Sequence, residues 1–442
     1  MKRSEQQFSD TLLRDVETAS QMMRRYYCIV KETMRAMAGY LPSMRDWSGK
    51  KMLARHLWFD SMHADMLRSR TLDLRYPRVD VDNQSDTHII RFLRNLPTVQ
   101  SDEQFLVQIY NVVKPALLVA LKEYMSETDP LDDAPSHSYI KRILIELEEQ
   151  LEEARPILKR MCLVSKEIVK SHTTSKEVLV NCGGIHGPDQ DPRFNYPEEA
   201  YKLPMEGGRD SSWEPAIMQV PPRQPKNLLE QRLWIAIDHA NEVWASESAA
   251  ALIWEYDNMP WNLYFNAARW TYDEMRHAMM GEQRLIELGF EIGVDIPMVP
   301  DHWRAFRQKG VLSLLLLVHG LEQKGPLHKS KLKDELLAAK DYTGAQDCDY
   351  DWADESNHIS FGLAWIKAIC PEWSKERIME ETRLVVAEWQ EWILQRHESG
   401  QHGYEKFMER IEAKTKSFNG NETVLQIATT HLDKIFVQER FI

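Results

Sequence analysis

Two short stretches, Asp273-Glu274-Met275-Arg276-His277 and Asp354-Glu355-Ser356-Asn357-His358, decide which fold this sequence predicts. Both have the form Asp-Glu-x-x-His. A spacing of three residues puts the glutamate and the histidine on the same face of a helix. In helical bundles that hold two metal ions, two helices each supply Glu-x-x-His and the other two each supply one glutamate. The doubled motif therefore predicts a metal pair inside a four-helix bundle.

The two remaining glutamates are expected one antiparallel helix upstream of each motif. Glu322 precedes Glu355 by 33 residues, and Glu242 precedes Glu274 by 32. These nearly equal distances indicate an internal repeat of helix pairs. Glu322 also follows an apolar run, where a charge without a partner would be costly to bury. Glu247 lies on another face of the same predicted helix as Glu242 and is the alternative ligand, although the spacing favours Glu242.

The predicted metal ligands are therefore Glu242, Glu274, His277, Glu322, Glu355 and His358. A metal-bound imidazole usually donates its other N–H to a carboxylate or a carbonyl, so Asp273 and Asp354 are predicted to support the histidines. The alternative for both aspartates is a solvated helix charge. His239 and His319 each lie three residues before an upstream glutamate. We interpret them as satisfied core histidines, with metal ligand or hydrogen-bond donor as the alternatives. Trp270, one turn before Glu274, is interpreted as a core aromatic.

Length and composition restrict the class of protein. The chain has 442 residues, 43% of them hydrophobic, and only 18 Gly and 20 Pro, which favours helices and more than one core. A net charge of −13 argues against a nucleic-acid partner held through phosphates. No apolar run approaches the roughly 20 residues that span a bilayer, so no membrane partner is expected. The five scattered cysteines suit a reducing compartment, and we expect a cytoplasmic protein.

The fold class predicted is all-α, with two tandem four-helix bundles that resemble the ferritin-like type and are joined by a Pro/Gly-rich linker. Residues 1–170 carry four helical stretches, with breaks at Leu41-Pro42, Tyr76-Pro77 and Thr128-Asp129-Pro130. Residues 171–227 are predicted to be an irregular linker, because Gly and Pro recur there. Residues 228–398 are predicted to form the metal-binding bundle, and 399–442 a helical extension. A break next to Glu322 is also expected at Gly325-Pro326.

The first bundle carries only part of the same pattern. Asp60 and His63 form Asp-x-x-His, and Glu32 lies 28 residues upstream of Asp60. The fourth stretch contains Glu146-Leu147-Glu148-Glu149-Gln150 but no Glu-x-x-His. Two ions need more imidazole and a better-spaced glutamate than this set provides. We therefore expect a degenerate bundle without a complete metal site.

The motifs resemble the ferritin-like di-iron and di-manganese carboxylate superfamily. More closely, the segment from His239 to Gly289, together with Leu321-Glu322-Gln323-Lys324-Gly325 and the stretch from Asp354 to Trp365, is similar to a bacterial ferritin-like family akin to tRNA-hydroxylating di-iron enzymes. The resemblance covers about residues 228–370. It implies a metal-binding bundle with two Fe ions, or Mn with Fe, and oxygen chemistry. It implies no particular substrate, because one fold hosts many functions.

The function expected is that of a di-iron oxidase or oxygenase, which activates O2 or peroxide and oxidises a small organic substrate. The alternatives are a ferroxidase or iron-handling protein, and a non-catalytic scaffold that contains metal. The chain has no Cys-x-x-Cys pair for a built-in rubredoxin-like donor, so an external electron donor is expected. A homodimer is a further possibility that the sequence leaves open.

Overall fold

The computed structural model describes residues 14–83, 87–161, 166–197, 199–210, 213, 228–296, 298, 301–399 and 409–413. Within these ranges the chain is helical without any β-strand, apart from one isolated bridge between Ile292 and Ile296. The all-α prediction is confirmed. The expected C-terminal extension, 399–442, lies outside the described residues except at residue 399 and at 409–413, and the latter segment is helical.

The chain divides into two compact units whose boundaries differ from the predicted ones. The first unit comprises Met1–Met37 and His56–Lys202, and the second comprises Ala38–Arg55 and Leu203–Ile442. Helices α1 (Val16–Tyr40) and α2 (Trp47–Asp73) therefore each contribute residues to both units. An early segment of the chain thus belongs to the unit that carries the doubled motif.

Four helical stretches follow one another through residues 16–161, and their ends fall at the predicted breaks. After α1 and α2 come α3 (His88–Asn95), α4 (Asp102–Val107), α5 (Lys114–Ser126) and α6 (Ala134–Met161). A 3₁₀ turn, Leu96–Thr98, and a π-helical turn, Gln108–Val113, interrupt the third stretch. The part Asp102–Ser126 is apolar and long enough to cross a membrane by length and composition alone, but 67% of its most apolar window is buried within the fold. Such burial is typical of a core helix.

The predicted start of the irregular linker at Ser171 is wrong. Helix α7 (Lys166–Asn181) runs through the first eleven residues of that segment. Residues 171–181 contain neither Gly nor Pro, so nothing in them prevents a helix. The helix ends where Gly183 and Gly184 follow, both with positive φ, a conformation that side chains other than glycine rarely adopt.

The second unit contains eight further helices among the described residues. They are α8 (Leu228–Asn241), α9 (Val243–Glu255), α10 (Trp261–Glu287), α11 (Asp301–Arg307), α12 (Val311–Glu322), α13 (Gly325–Ala338), α14 (Tyr342–Ile369) and α15 (Lys375–Glu398). Four rods form the bundle: rod 1 is α8 with α9, rod 2 is α10, rod 3 is α12 with α13, and rod 4 is α14. Rod 2 packs against rods 1 and 4, and rod 3 packs against rods 1 and 4. This closed arrangement leaves one shared interior.

Rods 1 and 3 are both broken at their glutamates. Helix α9 begins directly after Glu242, and α12 ends at Glu322. The predicted break at Gly325-Pro326 is confirmed, since Pro326 lies in the first turn of α13, where its missing N–H costs no hydrogen bond. The break at Glu242 has no Gly or Pro nearby and was not predicted. Each break places a carboxylate at a helix end inside the bundle.

Close helix packing draws the rods together around this interior. Gly281 of α10 lies so close to α8 that a Cβ atom there would be 2.3 Å from the backbone nitrogen of Ala240. Helix α12 of rod 3 is apolar on most faces, and Leu314 to Val318 are all buried. The carboxylate of Glu322, at the end of this helix, is therefore largely shielded from water.

Candidate metal centre

Five of the six predicted ligands come together in the second unit, with contributions from all four rods, and Glu355 lies beside them. Glu274 and His277 come from rod 2 and His358 from rod 4, and all three are buried. Glu322 and Glu355 are buried as well, whereas the side chain of Glu242 is 23% exposed. The spacing of three residues from Glu274 to His277 places both side chains on the inner face of α10, as the motif predicts.

One group of candidate ligands surrounds His277. Its Nδ1 atom lies 3.2 Å from Oε2 of Glu242 and 3.6 Å from Oε2 of Glu274. Ligand atoms of these three residues lie within 4.8 Å of one another, close enough to contact one ion. We call this group the Glu242 position.

A second group surrounds His358. Its Nδ1 atom lies 3.1 Å from Oε1 of Glu274 and 3.3 Å from Oε1 of Glu322. The indole Nε1 of Trp270 donates to the same two oxygens, at 3.1 Å for Glu274 and 2.9 Å for Glu322. We call Glu274, Glu322 and His358 the Glu322 position. Glu274 belongs to both positions, as a carboxylate that bridges two ions would.

Buried polar atoms without hydrogen-bond partners indicate that these residues can bind cations. The atoms concerned in this region are Oε2 of Glu242, Nδ1 of His277, Oε2 of Glu322, Oδ1 of Asp351, Oε2 of Glu355 and Nδ1 of His358. Burying such a group without a partner usually costs about 1–3 kcal/mol, and more for a charged group. Oxygen and imidazole ligands suit iron, manganese and zinc. The residues therefore fit a pair of such ions.

The two supporting aspartates are exchanged between the motifs. Nε2 of His277 lies 3.2 Å from Oδ2 of Asp354, and Nε2 of His358 lies 3.4 Å from Oδ2 of Asp273. Each aspartate thus accepts a hydrogen bond from the histidine of the other motif. Because Nε2 of each histidine contacts an aspartate, Nδ1 of each faces the other candidate ligands. Arg276 contacts both carboxylates, at 3.0 Å from Oδ1 of Asp273.

Glu355 lies at the edge of the centre and belongs to neither position. A Cβ atom at residue 325 would be 1.7 Å from its Oε2 atom, so Gly325 makes the space in which this carboxylate lies. Its other oxygen is 4.0 Å from Nζ of Lys329. Burial and the neighbouring charge of Asp351 raise the pKa of Glu355 well above its usual range. The protonated carboxyl is therefore favoured in the metal-free protein.

Two residues of the centre were missed by the sequence analysis, Asp351 and Lys329. Asp351 is fully buried, and its Oδ2 is 2.7 Å from Nε2 of His239. Asp351, His239 and Glu242 form a third group of possible metal ligands. The ammonium of Lys329 bonds to Asp351 and lies 3.1 Å from His239 Nε2. A sequence signal existed, because Asp351 precedes Glu355 by one helical turn.

Glu247, the alternative to Glu242, is turned away from the centre. It is fully buried and pairs with Lys50 and with Arg209, whose Nη1 is 2.6 Å from Oε1 of Glu247. Two cations therefore already neutralise this carboxylate. Glu242, chosen for its spacing, is the residue of rod 1 that contacts His277.

His239 and His319 occupy equivalent sequence positions but differ in their surroundings. His239 is held by Asp351 and Lys329, as described above. Nε2 of His319 is 2.9 Å from Nε2 of Gln323, and its Nδ1 has no hydrogen-bond partner. Burial lowers the pKa of His319 to about 4, so its ring is neutral. Only His239 contacts the candidate ligands.

The buried carboxylates and imidazoles shift one another's pKa values. Burial favours neutral imidazole, but the nearby carboxylates of Asp351, Asp354, Glu242 and Glu274 raise the pKa of His277 well above its usual value. The carboxylates of Asp273, Glu274 and Glu322 likewise outweigh burial and raise the pKa of His358. Burial raises the pKa of Glu322 to about 8. Protons therefore stand in for cations when no metal is bound.

In the first unit, a lysine lies among the partial ligand set. Nζ of Lys114 lies 2.7 and 2.6 Å from the two carboxylate oxygens of Asp60 and 2.6 Å from Oε1 of Gln150. All three residues are buried. The ammonium thus occupies the position next to Asp60 where a metal ion would need to bind.

The other residues of that set are also paired. Glu32 is fully buried between Arg35 and Arg94, and Nε of Arg94 is 2.8 Å from Oε2 of Glu32. Burial opposes ionisation, but the two arginines lower the pKa of Glu32 to about 2. Nε2 of His63 is 2.9 Å from Oε2 of Glu146. Among the described residues, the groups able to hold a metal all lie between residues 239 and 358.

Comparison with known proteins supplies a family. Residues 190–416, slightly more than half of the 442 residues, match the family described as "Protein of unknown function (DUF455)". The matched region contains every residue of both metal positions. No curated protein and no solved structure matches the chain. The chain therefore belongs to the family described as "Protein of unknown function (DUF455)", which is of the ferritin-like type.

Proposed function

We propose that this protein is a non-haem di-iron oxidoreductase that activates O2 or peroxide to oxidise a small organic substrate. The two Fe ions would be held by Glu242, Glu274, His277, Glu322, Glu355 and His358, and Mn could replace one of them. The observation that carries the proposal is the set of buried ligand atoms without partners around the shared carboxylate of Glu274. A pair of metal ions would give all of these atoms a partner at once.

Bound iron would supply the electrons for reducing O2 or peroxide next to the substrate. The protein's own residues prepare the site for this chemistry. Asp273 and Asp354 fix the histidine rings, so that both Nδ1 atoms face the interior without rearrangement. The buried leucines of α12 limit the access of water to Glu322. Asp351 supplies an additional carboxylate oxygen beside the Glu242 position.

The resemblance to tRNA-hydroxylating di-iron enzymes supports oxygen chemistry but not a tRNA substrate. The net charge of −13 disfavours a partner that is bound through its phosphates. We therefore propose a small-molecule substrate, no nucleic-acid or membrane partner, an external electron donor and a cytoplasmic location. A homodimer is compatible with this function and is not required by it.

We also propose that the first unit is a degenerate copy of the same bundle, which has exchanged metal ions for side-chain cations. The support is the contact of Lys114 with three oxygens of Asp60 and Gln150, and the enclosure of Glu32 by two arginines. Such fixed cations neutralise the carboxylates that an active bundle would offer to iron.

The test is anaerobic loading with Fe²⁺ followed by exposure to O2. We expect about two iron ions per chain, an optical change on oxidation, and O2 uptake that stops once those ions are oxidised unless substrate and reductant are present. Glu274→Ala should lose the optical change, and Glu287→Ala, at an exposed site on the same helix, should keep it. Turnover of many iron equivalents per chain would instead identify an iron-handling protein. Metal binding without any optical change would identify a scaffold.

A further inference from the structure

The internal repeat of the metal centre is broken at one pair of equivalent positions. The residue four positions before the motif glutamate is Trp270 in rod 2 and Asp351 in rod 4. Trp270 gives the Glu322 position a neutral N–H donor. Asp351 gives the Glu242 position a further negative charge, with its Oδ1 3.9 Å from Nδ1 of His277. The two positions therefore differ in charge as well as in ligands.

A lysine ammonium binds this additional carboxylate and also lies close to two of the proposed metal ligands. Nζ of Lys329 bonds to Oδ2 of Asp351 and lies 3.7 Å from Oε1 of Glu242 and 4.0 Å from Oε1 of Glu355. Its side chain is only 12% exposed, so bulk water screens it weakly. Of the three groups of possible ligands, Lys329 contacts the two that contain Glu242, and it has no contact with the group of Glu274, Glu322 and His358 among the described residues.

We propose that Lys329 is an internal cation that makes the two metal positions unequal, so that a divalent ion binds first at the Glu322 position and more weakly at the Glu242 position. This inference rests on the proposed metal pair. The ammonium repels a metal ion at the Glu242 position. It also competes with that ion for the carboxylates of Asp351 and Glu242. Among the described residues, no lysine or arginine contacts the Glu322 position, whose glutamate oxygens face Trp270 and His358. Lys329 is thus a positioning residue that sets the order of loading.

Titration with Co²⁺ under argon tests this without any catalytic activity, using equilibrium dialysis for stoichiometry and visible absorbance for the ligand environment. The full-length protein should bind two ions whose dissociation constants differ by roughly tenfold or more. Lys329→Met keeps the length of the side chain and removes its charge, so the weaker constant should tighten by roughly tenfold while the tighter one stays nearly unchanged. Lys329→Arg keeps the charge and should retain unequal binding.

Lys333→Met is the matched control, because Lys333 lies one turn further along α13 and pairs with Asp349 at the surface. Its two dissociation constants should equal those of the unmodified protein. Two equal constants in the unmodified protein would overturn the role of Lys329, even if Lys329→Met failed to fold. A Lys329→Met protein that folds but keeps the weak constant unchanged would also overturn it. Absence of Co²⁺ binding by every variant would refute the metal centre itself, whereas binding of two ions without O2 chemistry would refute only the proposed oxidase function.

Discussion

Oδ2 of Asp273 lies 3.4 Å from Nε2 of His358, although Asp273 belongs to the motif that contains His277. Asp354 makes the reciprocal contact with His277. The two Glu-x-x-His motifs are therefore connected by hydrogen bonds across the interface of rods 2 and 4. A change in one motif should affect the histidine of the other.

Asp273→Ala should weaken metal binding at the Glu322 position, because His358 loses the carboxylate that orients its ring. Removing such a partner typically lowers metal affinity by roughly 10–100-fold. The measurement is Co²⁺ titration of Asp273→Ala, of Glu322→Ala and of the double variant. In the double variant, loss of Asp273 should have little further effect, because the position it supports is already lost. Additive losses would mean that Asp273 acts on His277 instead.

Glu274→Ala should remove both ions, since Glu274 contributes to both positions. Glu322→Ala should remove only one, because Glu322 contacts His358 and not His277. Metal content after anaerobic loading, measured by mass spectrometry, distinguishes the two variants. Equal losses in Glu274→Ala and Glu322→Ala would contradict the shared role of Glu274. Glu287→Ala, at an exposed site, should keep full metal content.

Metal binding should release protons and tighten as pH rises. His277 and His358 have raised pKa values, and the pKa of Glu322 is about 8, so all three carry protons near neutral pH in the metal-free protein. An ion can bind only the deprotonated ligands, so about one proton should leave from each residue. Affinity should therefore rise from pH 6 to pH 8. Calorimetry in buffers of different ionisation enthalpy measures the released protons. Binding that is independent of pH would show that these side chains are not ligands.

Gly325→Ala should displace Glu355, because the new Cβ would lie 1.7 Å from Oε2 of Glu355. The carboxylate is the far end of a flexible side chain and can swing aside, so we expect a loss of metal affinity rather than unfolding. The loss should resemble that of Glu355→Ala. Combining the two changes should add little, because both remove the same ligand. Unchanged Co²⁺ affinity in Gly325→Ala would indicate that Glu355 does not bind metal.

Lys114→Met should destabilise the first unit strongly. It leaves Asp60 buried without its cation, and breaking a buried ion pair in this way costs about 3–5 kcal/mol. Denaturant unfolding followed by circular dichroism measures the change. A second substitution, Asp60→Leu, removes the orphaned charge and should recover much of the loss. If Lys114→Met alone unfolds like the unmodified protein, the pair contributes nothing to stability.

Much of the centre was predictable because its signals are local and repeated. The doubled motif, the matched upstream glutamates and the break at Gly325-Pro326 all follow from spacing along single helices. The two aspartates were also correctly identified as histidine partners, although the exchange between motifs was not foreseen. That exchange depends on how rods 2 and 4 cross, which spacing does not determine.

Asp351 and Lys329 were missed for a related physical reason. The internal repeat does not contain them. The position equivalent to Asp351 is Trp270, so comparison of the two halves of the repeat did not single out Asp351. Their pairing joins α13 and α14, and it becomes visible only when the helices pack. The start of the linker at Ser171 was wrong because Gly and Pro were counted over too long a window. The helix continues until the first glycine pair.

The ion pair of Lys50 with Glu247 determines what a minimal version of the metal-binding unit must contain. Lys50 lies in Ala38–Arg55, far upstream of the family match that begins at residue 190. A fragment of residues 190–416 would lack Lys50, so the buried carboxylate of Glu247 would keep only Arg209 as its counter-ion. We therefore expect this fragment to be recovered mainly as insoluble protein. A version that retains Ala38–Arg55 should be soluble, because it restores the charge of Lys50.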